Sequence, residues 1–476
     1  MRNLSKMRRT KIVCTIGPAT SSERMLRLLV RAGMDCARLN FSHGSPAEHQ
    51  SVIKTLRKIG TETEKIVSIL QDLPGPKFRV GTIEGGTVQL KKGSTITLTS
   101  KNVKSKQDLI PLRSSELPRF APIGGLIFLS DGSIKLRVLS TNDTDIKCRC
   151  EIGGMLLSGK GVNIPELKQG FKTFTNNDKK FLAFGLEHDV DLVAVSFVRN
   201  ASDVESIRDF VKRTGKSTPI VAKIEKKEAV DNIEDIVRAS DAIMVARGDL
   251  GVENPLEEVP ELQKQIISSC SAGGRPVITA TQMLESMVNN TSPTRAEVTD
   301  VANAIFDGTD AVMLSEETAM GKYPIECVRI LDRVSLNAEE RMRETRQRHG
   351  LESRSNKEIN EAIGKAAANM SDELGAKAIV SFLDSMDTVS KISSLRPIAP
   401  IVVMSDNKTR LKRLKIVWGV HPMKVKKVRL DNATATATEN LMKDGILTPR
   451  EESVIVCLDG GLRPQPSVRM QVLKTG

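Results

Sequence analysis

Residues 191–250 read DLVAVSFVRNASDVESIRDFVKRTGKSTPIVAKIEKKEAVDNIEDIVRASDAIMVARGDL, three short apolar runs separated by two amphipathic ones. The apolar runs LVAV, PIVAKI and AIMVA are too short for helices and rich in Val, Ile and Ala, as buried strands are. The segments between them, SDVESIRDFVKRTG and NIEDIVRAS, begin at Ser or Asn and end at Gly or Ser, which marks helices. A helix between consecutive strands implies that the strands run parallel. The same beat extends outward through KIVCTIG (11–17), CARLNFS (36–42) and VSILQDL (67–73), then PVITATQ (276–282) and AVMLSEE (311–317). Eight strands alternating with helices predict a parallel (β/α)8 barrel. A doubly wound open sheet is the alternative, because strand number does not prove closure.

The beat breaks after the third strand. Residues 77–170 show Gly-rich alternation, as in GTVQLKKGSTITLTS and GGLIFLSDGSIKLRVLS, which predicts a small β domain inserted in a barrel loop as a lid. The barrel is then residues 1–76 and 171–343. After a polar linker, TRQRHGLESRSNKE (345–358), the runs AIVSFL, PIVVMS, VHPMKV and SVIVCLD predict a third, α/β domain over residues 344–476.

Composition narrows the function. The chain has 476 residues, 39% of them apolar, enough for two or three cores. A net charge of +13 points to acidic partners: nucleic acid, an anionic membrane surface or small phosphorylated metabolites. Aromatics make up 3% of the chain, with Trp418 and Tyr323 the single examples of their kinds, so platforms for stacking bases are lacking. Small phosphates are favoured over nucleic acid. Seven scattered cysteines without a paired C-x-x-C indicate neither a disulfide framework nor a zinc site. MRNLSKMRR lacks the apolar run of a signal peptide, and no stretch approaches the ~18 apolar residues of a membrane helix. The expectation is a cytoplasmic protein with no membrane association.

Barrel active sites lie at the carboxyl ends of the strands. Those ends carry Arg38, Asn40 and Ser42 on strand two, Asp72 on three, Lys223 and Glu225 on five, Arg247 and Asp249 on six, Thr281 on seven and Ser315 on eight. Glu225 and Asp249 are hard oxygen ligands suited to Mg²⁺; the alternative is structural ion pairing with Lys223 and Arg247. Lys223 shares a strand face with Glu225 and can neutralise a phosphoryl group in flight, or can be an ordinary barrel-end lysine. Gly248 permits close approach of a carboxylate to bare N–H groups, or makes an ordinary turn. Thr281 and Ser315 can orient a proton-donating water, or satisfy nearby backbone. His43 is read as a loop histidine bonding its own turn. The run from Lys408 to Arg429, nine Lys/Arg and no acid, is read as a solvated helix face plus a strand edge rather than a phosphate or RNA site.

The runs TKIVCTIGPA, RLNFSHG, AKIE, MVARGDLGVE, ATQMLESM, PTRAEVTDVANAIFDGTDAVMLSEETA and GKYP together resemble pyruvate kinase, in that family's order and across nearly the whole chain. The resemblance implies phosphoryl transfer from phosphoenolpyruvate to ADP, giving pyruvate and ATP. It implies that Lys223 and Arg38 attend the moving phosphoryl group and that Glu225 and Asp249 hold Mg²⁺, with Mn²⁺ able to substitute. Gly248, Asp249 and Thr281 would receive the substrate carboxylate, and Thr281 and Ser315 would relay a proton. Arg79, Lys160, Asn163 and Asp131 would face the nucleotide, and a homotetramer is implied. Asn40, Ser42, Asp72 and Leu73 match the family's monovalent-cation position.

Three departures stand out. Family members often carry Glu where this chain has Lys77, so a tethered ammonium would replace K⁺ and remove the need for it. Glu316 stands where Gly is common. The loop that often grips a sugar phosphate reads LDSMDT here, and Asp384 and Asp387 would repel one. The alternative reading is another Mg²⁺-dependent barrel enzyme acting on a keto acid or enolate.

Overall fold

The computed structural model describes residues 7–130, 132–165, 173–349, 359–426, 432–447, 453–461 and 467–475. Eight parallel strands close into a barrel: β1 (Lys11–Thr15), β2 (Cys36–Asn40), β3 (Ser68–Leu73), β4 (Leu192–Val195), β5 (Ile220–Ile224), β6 (Ala242–Ala246), β7 (Val277–Ala280) and β8 (Ala311–Leu314). Closure is made where β1 pairs with β8, from Lys11 opposite Ala311 to Cys14 opposite Leu314. The open doubly wound sheet is therefore excluded.

Each strand buries both faces, which is why its sequence is continuously apolar rather than alternating. Val13, Leu70, Ala194, Val221, Met244, Ile278 and Met313 fill the barrel interior. Their neighbours Ile12, Ile69, Val193, Ala222, Ile243 and Val312 face outward against the helices. Helix starts are written locally: Ser45 with Glu48, Thr175 with Asp178, and Thr294 with Glu297 form capping boxes that satisfy otherwise orphaned N–H groups.

The inserted segment forms a seven-stranded sheet in which Phe78–Arg79 pairs with Gly161–Asn163, plus a two-stranded ribbon. Its core is separate, built on residues such as Ile96, Leu98, Ile127, Leu136 and Ile146. It leaves the barrel after β3 and returns before the helix Asn176–Glu187, so it stands at the carboxyl ends of the strands. The C-terminal sheet has four parallel strands, in the order Val420–Lys424, Ile401–Ser405, Ala378–Ser381 and Ser453–Gly461. A fifth, Ser467–Thr475, adds antiparallel to the last of them. The charged alternation of SVRMQVLKT did not announce that strand. Among the described residues no helix is long and apolar enough to cross a membrane, and Cys14, Cys36, Cys148, Cys150, Cys270 and Cys327 are free, buried thiols. The linker residues 350–358 lie outside the described residues.

The amino end of the barrel carries a ring the sequence did not announce. Asp35, Asp191, Asp241 and Asp310 directly precede the even strands β2, β4, β6 and β8. Each carboxylate accepts a backbone N–H near the start of the preceding odd strand: Ile12 at 3.0 Å, Ile69 at 2.8 Å, Ile220 at 2.8 Å and Val277 at 3.0 Å. Each also meets a cation. Asp35 pairs with Arg8 at 2.9 Å and Lys415 at 2.6 Å, Asp191 with Arg57 at 2.8 Å and Lys412 at 3.8 Å, Asp241 with Arg208 at 3.0 Å, and Asp310 with Arg396 at 2.9 Å. Lys412, Lys415 and Arg396 come from the C-terminal part of the chain.

The helical part of the basic run is thus not the solvated face expected of it, while Val420–Lys424 is the strand edge expected. The helix docks on buried barrel carboxylates, because a desolvated carboxylate needs a cation more than a surface lysine needs water. Residues 427–429 of the run lie outside the described residues. Trp418 completes the joint, lying between the guanidinium groups of Arg9 and Arg396 at 5.2 and 4.9 Å.

Candidate active site

At the opposite end of the barrel, β2, β3 and β5 bring Arg38, Asp72 and Lys223 together. The Lys223 ammonium donates to Ser196 Oγ at 2.7 Å and lies 2.8 Å from Glu225 Oε1 and 3.4 Å from Asp72 Oδ1. Asp72 Oδ2 accepts from Arg38 Nε at 2.7 Å, and Arg38 Nη1 donates to Thr15 Oγ1 at 2.9 Å. Glu225 Oε2 accepts the N–H of Phe197 at 2.7 Å. Phe197 has φ 58, a left-handed conformation that is costly for a bulky residue and aims its N–H at the carboxylate.

Electrostatics follow from this packing. Burial pulls the Lys223 ammonium toward the neutral form, but Asp72 and Glu225 outweigh it and hold the group firmly protonated. Burial alone would raise the Asp72 carboxyl; Lys223 and Arg38 overcome it and keep it ionised. Glu225 goes the other way: burial raises it, Lys223 opposes, and the nearby Asp249 charge adds to the rise. Two carboxylates that repel each other in a sheltered site are a donor set that fits a divalent cation with oxygen preference. Among the described residues no group of three or more His, Cys, Asp or Glu side chains converges, so Mg²⁺, which retains waters and substrate oxygens, fits better than a fully protein-caged ion.

The alternative pairing of Arg247 with Asp249 is not made. Arg247 instead donates to Asp300 at 2.6 Å and to the carbonyl of Thr281 at 2.6 Å. That holds Thr281 at φ 66. Its Oγ1 accepts the N–H of Gly248 at 2.9 Å and donates to the carbonyl of Ala280 at 2.7 Å. Ser315 donates its N–H to Glu317 at 2.6 Å, while its hydroxyl is buried with no hydrogen-bond partner among the described residues.

Around the FSHG turn, Asn40 Oδ1 accepts the N–H of Ser42 at 3.0 Å and His43 donates its N–H to the carbonyl of Asn40 at 3.1 Å. The turn is made by the His43 backbone; its carbonyl accepts from His49 at 2.9 Å. The imidazole is pushed toward the neutral form by burial and then by Arg79, Lys77 and Arg38, with Glu316 opposing, so all four charges lie around it. Lys77 reaches Asp249 at 4.0 Å.

In the lid, Arg79 donates to the carbonyl of Gly159 at 3.0 Å, beside Lys160, and Asn163 pairs in register with Phe128. Asp131 lies outside the described residues. A cleft of about 620 Å³ including its open mouth separates Lys77, Phe78 and Asn163 of the lid from Phe197, Lys226 and Glu253 of the barrel. Far from the site, the two aspartates of LDSMDT are engaged by cations: Asp384 by Arg410 at 2.8 Å and Asp387 by Arg275 at 2.6 Å.

A family model for the pyruvate kinase barrel domain matches residues 7–328, and one for the pyruvate kinase alpha/beta domain matches 361–462. The chain belongs to the pyruvate kinase family. It is 44% identical over 460 residues to pyruvate kinase 2 of Synechocystis sp., covering 96% of this chain and 77% of that protein. To the pyruvate kinase of Thermotoga maritima it is 41% identical over 421 residues, covering 88% and 90%. The crystal structure of a pyruvate kinase from Cryptosporidium parvum superposes with a TM-score of 0.90 at 32% identity, covering 100% of this chain and 98% of that one. The activity is that of a pyruvate kinase, a glycolytic phosphotransferase of a family that generally uses Mg²⁺, and the alternative of another barrel enzyme acting on a keto acid or enolate is set aside.

Two strand ends were passed over in the sequence. Thr15 of β1 and Ser196 after β4 both touch the charged cluster, through Arg38 and Lys223. Their signal was position alone: each follows a strand at the carboxyl end.

Proposed function

We propose that this pyruvate kinase transfers the phosphoryl group of phosphoenolpyruvate to ADP by charge neutralisation centred on Lys223. The observation that carries the reading is the Lys223 ammonium, protonated and buried between Asp72 and Glu225. Phosphoryl transfer needs positioning and positive charge more than covalent chemistry. Arg38 and Arg79 clamp phosphate oxygens. The Gly248 and Asp249 amides, with Thr281, take the substrate carboxylate. Glu225 and Asp249 hold Mg²⁺, or Mn²⁺ in its place, which supplies further neutralisation of substrate oxygens when bound. After transfer the enolate needs a proton on carbon, and Thr281 and Ser315 orient its donor; the Ser315 hydroxyl, unpartnered among the described residues, supports that role. Lys160, Asn163 and Asp131 of the lid face the nucleotide. The lid is taken as residues 77–170, the barrel as 1–76 with 171–343, and the C-terminal domain as 344–476. A cytoplasmic homotetramer is the working assembly.

Lys223→Met tests the centre of this reading. Turnover should fall by about three orders of magnitude, the scale of key phosphoryl-stabilising groups, with little change in substrate KM. Near-normal turnover removes Lys223 from the mechanism.

The monovalent position is formed by Asn40, Ser42, Asp72 and Leu73, and we assign its charge to Lys77. Support comes from Lys77 lining the cleft between lid and barrel, 4.0 Å from Asp249 and, with Arg38 and Arg79, close enough to His43 to act on its charge. The enzyme should be fully active with Mg²⁺ in sodium- and potassium-free buffer containing an organic counter-ion. Lys77→Glu should make activity potassium-dependent. A requirement for added K⁺ in the unmodified enzyme would overturn the assignment.

A further inference from the structure

The lid leaves the barrel through Leu73-Pro74-Gly75-Pro76, and this hinge is built into the same hydrogen-bond network as Lys223. Ser196, buried after β4, is the junction. Its hydroxyl donates to the carbonyl of Leu73 at 2.8 Å and accepts from the Lys223 ammonium at 2.7 Å. A serine hydroxyl has one proton to give, so donation to Leu73 leaves its lone pairs for the ammonium. The two bonds therefore fix each other's direction.

The hinge is held against Ser196 from two further sides. Gly75 sits at φ +64, and a Cβ there would lie 3.1 Å from Ser196 Cβ and 3.0 Å from the Phe197 ring. Only glycine permits that approach and that backbone conformation together. The Gly75 N–H donates to Asp178 Oδ1 at 3.0 Å, and the other oxygen of Asp178 accepts the Thr175 N–H at 2.9 Å. Asp178 is buried and joins the chain entering the lid to the chain just after it returns.

We propose that Ser196 is a positioning residue that ties the Lys223 ammonium to the root of the lid hinge. An ammonium has three protons, and here they are directed at Ser196, Glu225 and Asp72. Two of these partners are carboxylates that attract it strongly without fixing its direction. The neutral hydroxyl sets the third direction, and its own orientation depends on where Leu73 places its carbonyl. Movement of the hinge is thereby felt at the charge that meets the phosphoryl group.

The inference rests on the reading of Lys223 given above, and the two fail separately. Ser196→Ala should lower kcat by about 10- to 100-fold, the range expected when a catalytic group is misplaced by up to an ångström, with phosphoenolpyruvate KM within about twofold of its original value. Combined with Lys223→Met, the same substitution should cost nothing more, since there is then no ammonium to aim. Single-turnover rates of the four proteins, with thermal midpoints to establish folding, decide the matter. An alanine variant with kcat within twofold of the unmodified enzyme overturns the proposal. So does a loss that persists at full size in the Lys223→Met background, because Ser196 would then act on something else. Should the alanine variant not fold, Ser196→Cys is read by the same two outcomes. If Lys223→Met is itself nearly silent, the reading of Lys223 falls instead.

Discussion

The two ends of the barrel both bury carboxylates, and they differ in how positive charge is shared among them. At the amino end each of Asp35, Asp191, Asp241 and Asp310 receives one strand N–H and at least one cation. At the carboxyl end Asp72 and Glu225 share the Lys223 ammonium, and Asp249 meets Lys77 only at 4.0 Å. A carboxylate with a cation of its own is structural. A carboxylate left short of positive charge is ready for an ion and a charged substrate, at a cost to stability.

The contrast is sharpest in substitutions that remove one charge from each end. Glu225→Gln should lower turnover by about two to three orders of magnitude, as loss of a preorganised electrostatic group does. The thermal midpoint should stay the same or rise, because repulsion with Asp249 is relieved. A large drop in the midpoint would show that Glu225 is structural and blur the distinction. At the floor the expectation is reversed. Asp310→Ala should leave kcat within about twofold and cost about 3–5 kcal/mol in urea unfolding, the scale for stranding a buried cation. Arg396 would lose its carboxylate, and the N–H groups of Val277 and Trp418 would lose their acceptor.

Asp241→Ala is the weaker test of the same ring. Its pair with Arg208 is partly exposed, side chains 29% accessible on both sides, so water screens the loss and about 1 kcal/mol is expected. Equal losses at Asp241 and Asp310 would mean that the strand N–H bond, common to both, matters more than the ion pair.

The smallest effect concerns Lys11, which lies within the floor and donates to the carbonyl of Val420 at 2.8 Å. Burial lowers its pKa to about 7; Asp35 opposes that, Lys415 and Arg8 reinforce it, and Glu339 opposes it. The unfolded lysine stays protonated to about pH 10.4. Between about pH 7 and that value the unfolded chain binds more protons than the folded one, so Lys11 makes stability rise with pH. Below about pH 7 both forms are protonated and the slope from this residue vanishes. Lys11→Met should flatten the rise of unfolding free energy above pH 7, measured by urea titration at several pH values. An unchanged slope would show that Lys11 keeps its proton in the fold.

The neighbouring ring members show why floor charges cannot be read one residue at a time. Lys415, Arg8 and Lys11 together overcome burial at Asp35 and hold its carboxyl well below the usual range. At Asp191 burial prevails over Arg57 and Lys412, and the carboxyl is raised. Both residues are Asp directly before a strand. Their difference arises from cations contributed by segments far away in the chain.

That is also the line between what the residues announced and what they did not. The strand–helix beat, the Gly-rich insertion after β3 and the polar inventory of the strand ends are local patterns with short periods, so they survive in the one-dimensional record. So do the runs from TKIVCTIGPA to LSEETA that mark the pyruvate kinase family. Closure of the barrel does not, because it depends on Lys11 meeting Ala311 across most of the molecule. Nor does the fate of the basic run, which needed Asp35 and Asp191 to be brought beneath it. Ser196 was visible as a letter, but only the packing of the hinge against β4 and β5 makes it the bridge between Leu73 and Lys223. Charges and hydroxyls act through distance in space, and distance in space is what the folded chain decides.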